Sequence, residues 1–285
     1  MAKRFFPLLF LCVILVVGVM PQLSAQKSAH YKLISYNIRY NAASGEDGDN
    51  AWDNRKSASV KMLKQEKPDL FGLQEALPDQ LQFIEENFPQ YTRIGVGRDD
   101  GKQAGECMAV FFLTDKFELL ESGTRWLSET PKKVSKGWDA ACFRTVTFVH
   151  LKDKNTGRDF FYFNTHLDHV GEMARKNSVL LLCRLISEMV PEGTPVILGG
   201  DLNSSIESPI FEPFAKNNLL PARDMAPKTD NKDTFNGFGK APKPCVIDHI
   251  FIRNVTPIKF QTLTKDYGKP YISDHYPIAL DFEMY

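Results

Sequence analysis

Apolar residues along this chain fall into two rhythms. In the first, short runs rich in Val, Ile, Leu and Phe stop abruptly at polar or turn-forming residues. They predict strands over residues 31–38, 70–75, 108–113, 143–151, 160–166, 195–203, 246–252 and 276–282, because short runs of β-branched and aromatic residues suit a pleated, buried surface. In the second, apolar positions recur three and four apart. This spacing predicts a helix over residues 54–66 that stops before Pro68, another carrying Leu77, Leu81, Ile84 and Phe88, and a third whose face is Ala174, Ser178, Leu181, Leu182, Leu185 and Met189. Ser208-Pro209 marks the start of a short helix. The turn-rich segment 152–158 predicts a hairpin between its flanking strands, and residues 41–54 and 221–245 read as polar loops. Strands and helices are mixed throughout, with no repeat and no linker. The expected fold class is therefore α/β, two packed mixed β-sheets flanked by helices in one domain over residues 26–285.

Polar side chains gather where the predicted strands end: Asn37, Glu75, Glu106, His166, Asp168, Asp201, Asn203, Asp248, Asp274 and His275. The segment Pro195-Val-Ile-Leu-Gly-Gly-Asp201-Leu-Asn203 is the fullest case. A buried strand runs into two glycines, which permit close backbone approach, and then into a carboxylate and an amide that face the same way. Taken alone, this is equally an Asx turn, and His166 is equally a hydrogen-bonded core histidine. An acid at the margin of a core is costly without a partner. Repeated at many strand ends, the pattern points to a site built along one sheet edge.

The N-terminus has a different character. Lys3 and Arg4 precede an uncharged stretch from Phe5 to Met20, and Leu23-Ser24-Ala25 offers a small-residue cleavage site. The apolar run is shorter than the ~20 residues of a spanning helix, so residues 1–25 are expected to be a signal peptide. Export to the periplasm or beyond follows. The chain has 35 basic and 35 acidic residues in 285, and loss of the leader removes only basic ones. No positive field remains to bind long duplex nucleic acid tightly without sequence preference. Cys107, Cys142, Cys183 and Cys245 follow the leader without metal-like spacing and are expected to be free thiols. No stable protein partner is implied, and a monomer is expected.

The available chemistry is narrow. No Gly-x-Ser-x-Gly elbow and no Gly-x-x-x-x-Gly-Lys-Ser/Thr loop occurs, which leaves covalent acyl transfer and nucleotide switching without support. Carboxylates and amides without clustered thiols suit a hard cation, Mg²⁺ or Mn²⁺. Such an ion polarises a phosphoryl oxygen, and two histidines with carboxylate partners supply proton transfer and anion stabilisation.

Six motifs carry a resemblance. Ser-Tyr-Asn37-Ile-Arg, Leu-Gln-Glu75, Asn-Thr-His166-Leu-Asp168, Gly-Gly-Asp201-Leu-Asn203, Ile-Asp248-His and Ser-Asp274-His275-Tyr-Pro occur in that order. Together they resemble the endonuclease/exonuclease/phosphatase superfamily. This group includes pancreatic-type deoxyribonuclease, abasic-site endonucleases, sphingomyelinases, inositol-polyphosphate phosphatases and deadenylases. The resemblance implies a four-layer α/β sandwich and divalent-metal hydrolysis of a phosphate ester, either nucleic acid or a small phosphorylated compound. A sphingomyelinase-like hydrolase of phospholipid headgroups and a catalytically inactive binding module on the same fold are the alternatives. It also implies roles. Glu75 is the main metal ligand, with Asn37 arranging the metal shell and Asp274 completing it. Asp201 orients or deprotonates water, and Asn203 bonds a phosphate oxygen. His275, oriented by Asp248, contacts the scissile phosphate. His166 is the second histidine, with Glu106 as its carboxylate partner. The chain departs from abasic-site enzymes in having Arg39 two residues after Asn37 and a histidine at 166 where they have tyrosine, which disfavours that activity. On the substrate side, Trp138 is a candidate for stacking on a base or sugar. Arg55, Arg144 and Arg175 are candidates for holding a further phosphate, and His169 for another substrate contact.

Overall fold

The computed structural model describes residues 1–3, 29–42, 45–243 and 245–284; beyond its first residues, the expected leader lies outside this set. In chain order the elements are β1 (Ala29–Asn37), α1 (Trp52–Glu66), β2 (Leu70–Ala76), α2 (Pro78–Asn87), β3 (Tyr91–Ile94), β4 (Cys107–Leu113), β5 (Phe117–Trp126) and β6 (Thr145–Asp153). They continue as β7 (Asp159–His166), α3 (Glu172–Met189), β8 (Val196–Asp201), α4 (Glu212–Lys216), β9 (Leu220–Pro221), α5 (Ala222–Met225), β10 (Asp248–Arg253), β11 (Thr256–Thr262) and β12 (Ile278–Met284). Short 3₁₀ turns lie at Gly48–Asn50, Pro209–Phe211 and Gly237–Gly239.

The strands form two six-stranded sheets, ordered β11-β12-β1-β2-β4-β3 and β5-β6-β7-β8-β10-β9. Alternation along each strand sends side chains to opposite faces, and both faces are covered. In β1, Tyr31 and Leu33 enter the cluster between the sheets, which also contains Leu70, Val110, Phe160, Tyr162, Ile197, Ile250 and Leu280. Ile34 and Tyr36 point the other way, onto a cluster with Val60, Met62 and Leu63 of α1 and Leu81 and Ile84 of α2. On the far face of the second sheet, Phe161, Phe163, Val196 and Leu198 meet Val179, Leu182 and Ile186 of α3 and Phe214 of α4. The result is the four-layer α/β sandwich expected.

Local chemistry agrees. The first helix ends at Glu66, with Lys67 left-handed at φ 49° before Pro68, a stop that proline enforces by excluding a further helical turn. The hairpin forms between antiparallel β6 and β7. Cys107, Cys142, Cys183 and Cys245 are all free. Among the described residues, no helix is long and apolar enough to cross a membrane.

Topology gathers the strand ends. Strands β1 and β2 run parallel across the α1 crossover, so Asn37 and Glu75 emerge at the same edge. Strands β7 and β8 run parallel across α3 and pair His166 with Asp201. Antiparallel β10 starts at this edge, Asp248 opposite Asp201, and the approach to antiparallel β12 brings Asp274 and His275 to it.

Candidate active site

One buried carboxylate is the hub. Asp201 Oδ2 accepts from Asn37 Nδ2 at 3.0 Å and lies 3.3 Å from His166 Nε2 and 3.7 Å from His275 Nε2. Its other oxygen accepts from the Asn203 backbone N–H at 2.9 Å. The glycine before it is required: Gly200 has φ +149°, and the carbonyl oxygen of Thr165 leaves no room for a Cβ. Close apposition of β7 and β8 at this point sets His166 beside Asp201.

Each histidine is fixed differently. His275 Nδ1 bonds Asp248 Oδ2 at 2.8 Å. Burial alone would lower its pKa, but the Asp248 and Asp201 carboxylates raise it well above the ordinary value, so the ring is an imidazolium at neutral pH. His166 is held well below the ordinary value by burial first and then by the fields of Arg144 and Arg98; it is neutral. Asn203 Nδ2 donates to the Leu167 carbonyl at 3.0 Å and lies 3.0 Å from His166 Nε2.

The metal-side residues cluster around Glu75. Its Oε1 accepts from Asn37 Nδ2 at 3.0 Å and its Oε2 from the Tyr40 N–H at 3.2 Å. Asn37 turns its NH₂ towards both carboxylates, while its oxygen accepts from Arg39 N at 3.0 Å. Asn37 thus orients the Glu75 and Asp201 carboxylates. Ligand atoms of Glu75, His166 and Asp201 lie within 4.8 Å of one another. Burial pushes the carboxyls of Asp201 and Glu106 up to about 7 and raises that of Asp274. Crowded acids with elevated pKa values are what a bound cation would ionise, so the residues present fit a hard divalent ion. Glu75 at φ 63° is left-handed, a conformation uncommon for a glutamate and concentrated at functional sites; Asn203 at φ 48° is left-handed too, as asparagine tolerates.

Other expectations are revised. Glu106 bonds Arg98 Nη1 at 2.6 Å and forms no bond with His166, whose Nδ1 has no partner. Arg55 is 1% exposed. Its guanidinium bonds the carbonyls of Asn50, Ile38, Ile272 and Arg39, so it clamps the chain beneath the site and does not reach substrate. Trp138 packs, partly buried, against the hydrophobic cluster under α3. Arg175 Nη1 bonds the Asp168 carbonyl at 2.9 Å. Arg144 bonds Asp168 Oδ2 at 3.2 Å and lies 2.9 Å from His169 Nδ1; His169 itself is exposed.

Four further residues of the quoted motifs, given no role from the sequence, contribute to the site. Ser273 Oγ donates to the Asn37 carbonyl at 2.7 Å, tying the approach to β12 onto the end of β1. Arg39 lies 3.9 Å from Asp274 and forks onto Asp47 at 3.0 and 3.2 Å. Gln74 and Asn164 join the sheets behind the site with a 2.7 Å bond.

A family model described as the Endonuclease/Exonuclease/phosphatase family matches residues 34–275. The structure is similar to an endonuclease/exonuclease/phosphatase from Bacteroides vulgatus, at 37% identity and a TM-score of 0.85 over 90% of this chain and 100% of that one. It is also similar to a mannosyl-6-phosphatase from Bacteroides thetaiotaomicron VPI-5482, at 34% identity and a TM-score of 0.82 over 88% of this chain and 99% of that one. D. rerio TDP2, complexed with a single-strand DNA product, shares the fold at 18% identity and a TM-score of 0.69, over 89% of this chain and 99% of that one.

Proposed function

This chain belongs to the endonuclease/exonuclease/phosphatase family, whose members hydrolyse phosphoesters, and we propose that it is an exported, divalent-metal-dependent phosphomonoesterase acting on a phosphorylated sugar. The observation that carries the chemistry is the single Asp201 oxygen faced by Asn37, His166 and His275 from three other strand ends. Glu75 and Asp274 would hold the ion, with Asn37 orienting Glu75. When bound, the ion neutralises charge on the phosphoryl oxygens and favours attack at phosphorus.

This chain's own groups account for the rest. Asp201, held by Asn37 and the Asn203 backbone N–H and ionised beside a bound cation, is the carboxylate placed to remove a proton from water. The water oxygen bonds to phosphorus as the P–O bond to the sugar breaks; Asp201 takes the water proton, and solvent protonates the departing alkoxide. The His275 imidazolium, held by Asp248 at 2.8 Å, presents a charged donor to the phosphoryl group. Asn203 supplies an amide at the same edge.

A sugar phosphate is favoured over a polynucleotide on two grounds. The similar Bacteroides thetaiotaomicron protein is a mannosyl-6-phosphatase, and the chain has no net positive charge. The test is hydrolysis by the mature protein with Mg²⁺ or Mn²⁺, read as inorganic phosphate from hexose 6-phosphates and inositol phosphates, phosphocholine from sphingomyelin, and strand cleavage of single- and double-stranded DNA. Hexose 6-phosphate turnover is expected, lost in excess chelator and reduced about 10³-fold or more in Asp201→Ala. Turnover that survives chelation or this substitution overturns the mechanism; cleavage of DNA alone overturns the substrate class.

A further inference from the structure

Beside the catalytic histidine lies a cavity that the chemistry above does not use. It is an open hollow of about 390 Å³, and its lining includes Lys232, Phe235, Asn236, Thr264, Tyr271 and Tyr276. Phe235 is shared with the site: it walls the cavity, and its ring meets the His275 imidazole edge-on, centroids 5.1 Å apart. The backbone makes the same connection. Asn236 and Gly237 donate their N–H groups to the Asp274 carbonyl at 2.8 and 3.0 Å, and Tyr276 donates to Thr234 O at 2.7 Å. The cavity wall and the Asp274-His275 pair are thus one hydrogen-bonded unit.

The cavity is built from both apolar and polar parts. Tyr271 and Tyr276 are half-buried, with ring centroids 6.1 Å apart. The loop closes directly on Tyr271: Gly239 has φ +78°, and a Cβ there would fall 2.6 Å from the phenol oxygen. At the rim, Lys232 Nζ donates to Thr264 Oγ1 at 2.9 Å, and Asp233 adds a carboxylate to the lining.

We propose that this cavity receives the sugar ring of the phosphate ester whose phosphate is at His275, with Tyr271 and Tyr276 as determinants of specificity. The proposal rests on the phosphomonoesterase reading above. Small-molecule sites combine aromatic walls with a few placed polar groups in about 300–1,000 Å³. A cavity of about 390 Å³ lies at the small end of that range, which suits one sugar ring. The C–H face of a hexose packs on tyrosine rings while its hydroxyls meet Lys232, Asp233 and Thr264. Single-stranded nucleic acid instead needs a cationic groove that tracks its backbone.

The decisive measurement is the ratio of kcat/KM for a hexose 6-phosphate to that for ethyl phosphate, which offers the same reacting group without a ring. Tyr271→Ala and Tyr276→Ala are each expected to lower this ratio tenfold or more, chiefly through KM, while Tyr271→Phe, which keeps the ring, holds it within threefold. Lys232→Met, at the exposed rim, is expected to lower it several-fold and does not depend on the fold surviving loss of a half-buried ring. Unchanged ratios across these variants in an active protein overturn the sugar cavity and leave the phosphoesterase intact. A wild-type protein that releases phosphate from neither ester overturns both.

Discussion

His166 and His275 address the same Asp201 oxygen with opposite charge preferences, and each preference has a local cause. His275 is cationic because Asp248 and Asp201 outweigh its burial. A histidine raised in the folded state stabilises it fully below the ordinary value of about 6.5, and that contribution is lost as pH rises through the folded-state pKa. Asp248→Asn removes the main support and lets burial act. The alkaline limb of the kcat/KM–pH profile is then expected to move at least about one unit lower; an unmoved limb would show that it reports another group. Arg55 gives a second residue-scale prediction. Because it is buried on four carbonyls, Arg55→Met is expected to cost about 3–5 kcal/mol in urea unfolding, the range for stranding buried, charge-assisted partners. KM of the surviving folded protein should stay within a few-fold. A large KM change without destabilisation would return Arg55 to the substrate. In sequence, Arg55 and Arg144 look alike. Only their partners separate them: Arg55 holds backbone carbonyls, whereas Arg144 pairs with the Asp168 carboxylate.

At the scale of elements, the loop between β7 and α3 is organised by Asp168. Burial would raise its carboxyl, but the N–H groups of Gly171, Ala141, Val170 and Cys142 together hold it well below the ordinary range, and Arg144 pairs with it at 3.2 Å. A carboxyl lowered in the folded state stabilises it above the ordinary value of about 3.9, and that contribution is lost as pH falls through the folded-state pKa. Asp168→Ala is expected to cost about 3–5 kcal/mol at neutral pH, with the difference from wild type shrinking in acid, as read from paired urea titrations. The strands without a clear sequence signal are also informative. β3, β5 and β11 are edge strands of their sheets, and β5 is largely exposed along its length. An edge strand faces solvent and carries charge that prevents further pairing, which erases the apolar rhythm marking central strands. The 221–245 segment, read as loop, likewise holds the short β9 and α5, below the length at which periodicity is visible.

For the whole molecule, cation binding should be visible without turnover. A ligand that binds only the folded state stabilises it by RT ln(1 + [L]/Kd), about 2.7 kcal/mol at a hundredfold excess over Kd. Saturating Mg²⁺ is therefore expected to raise the melting temperature of the protein, and Glu75→Gln to abolish most of that rise. An equal shift in both proteins would place the ion elsewhere. The central strands, the crossover helices and the sandwich were legible in the sequence because burial on both faces leaves long apolar runs and helical spacing leaves a stripe. The acids, amides and histidines at strand ends were legible for the complementary reason: polar groups that interrupt a core need partners. Sequence by itself therefore determined the fold class, the list of candidate groups and the hard-cation chemistry they suit. Tertiary structure alone decided their pairing. It gave Glu106 to Arg98 in place of His166, drew Arg55 under the site, turned the Asn37 amide towards its carboxylates, and set Phe235 between His275 and a cavity. These outcomes depend on contacts between residues far apart in the chain, where a difference of a few ångströms selects the partner, and no local pattern of residues encodes that distance.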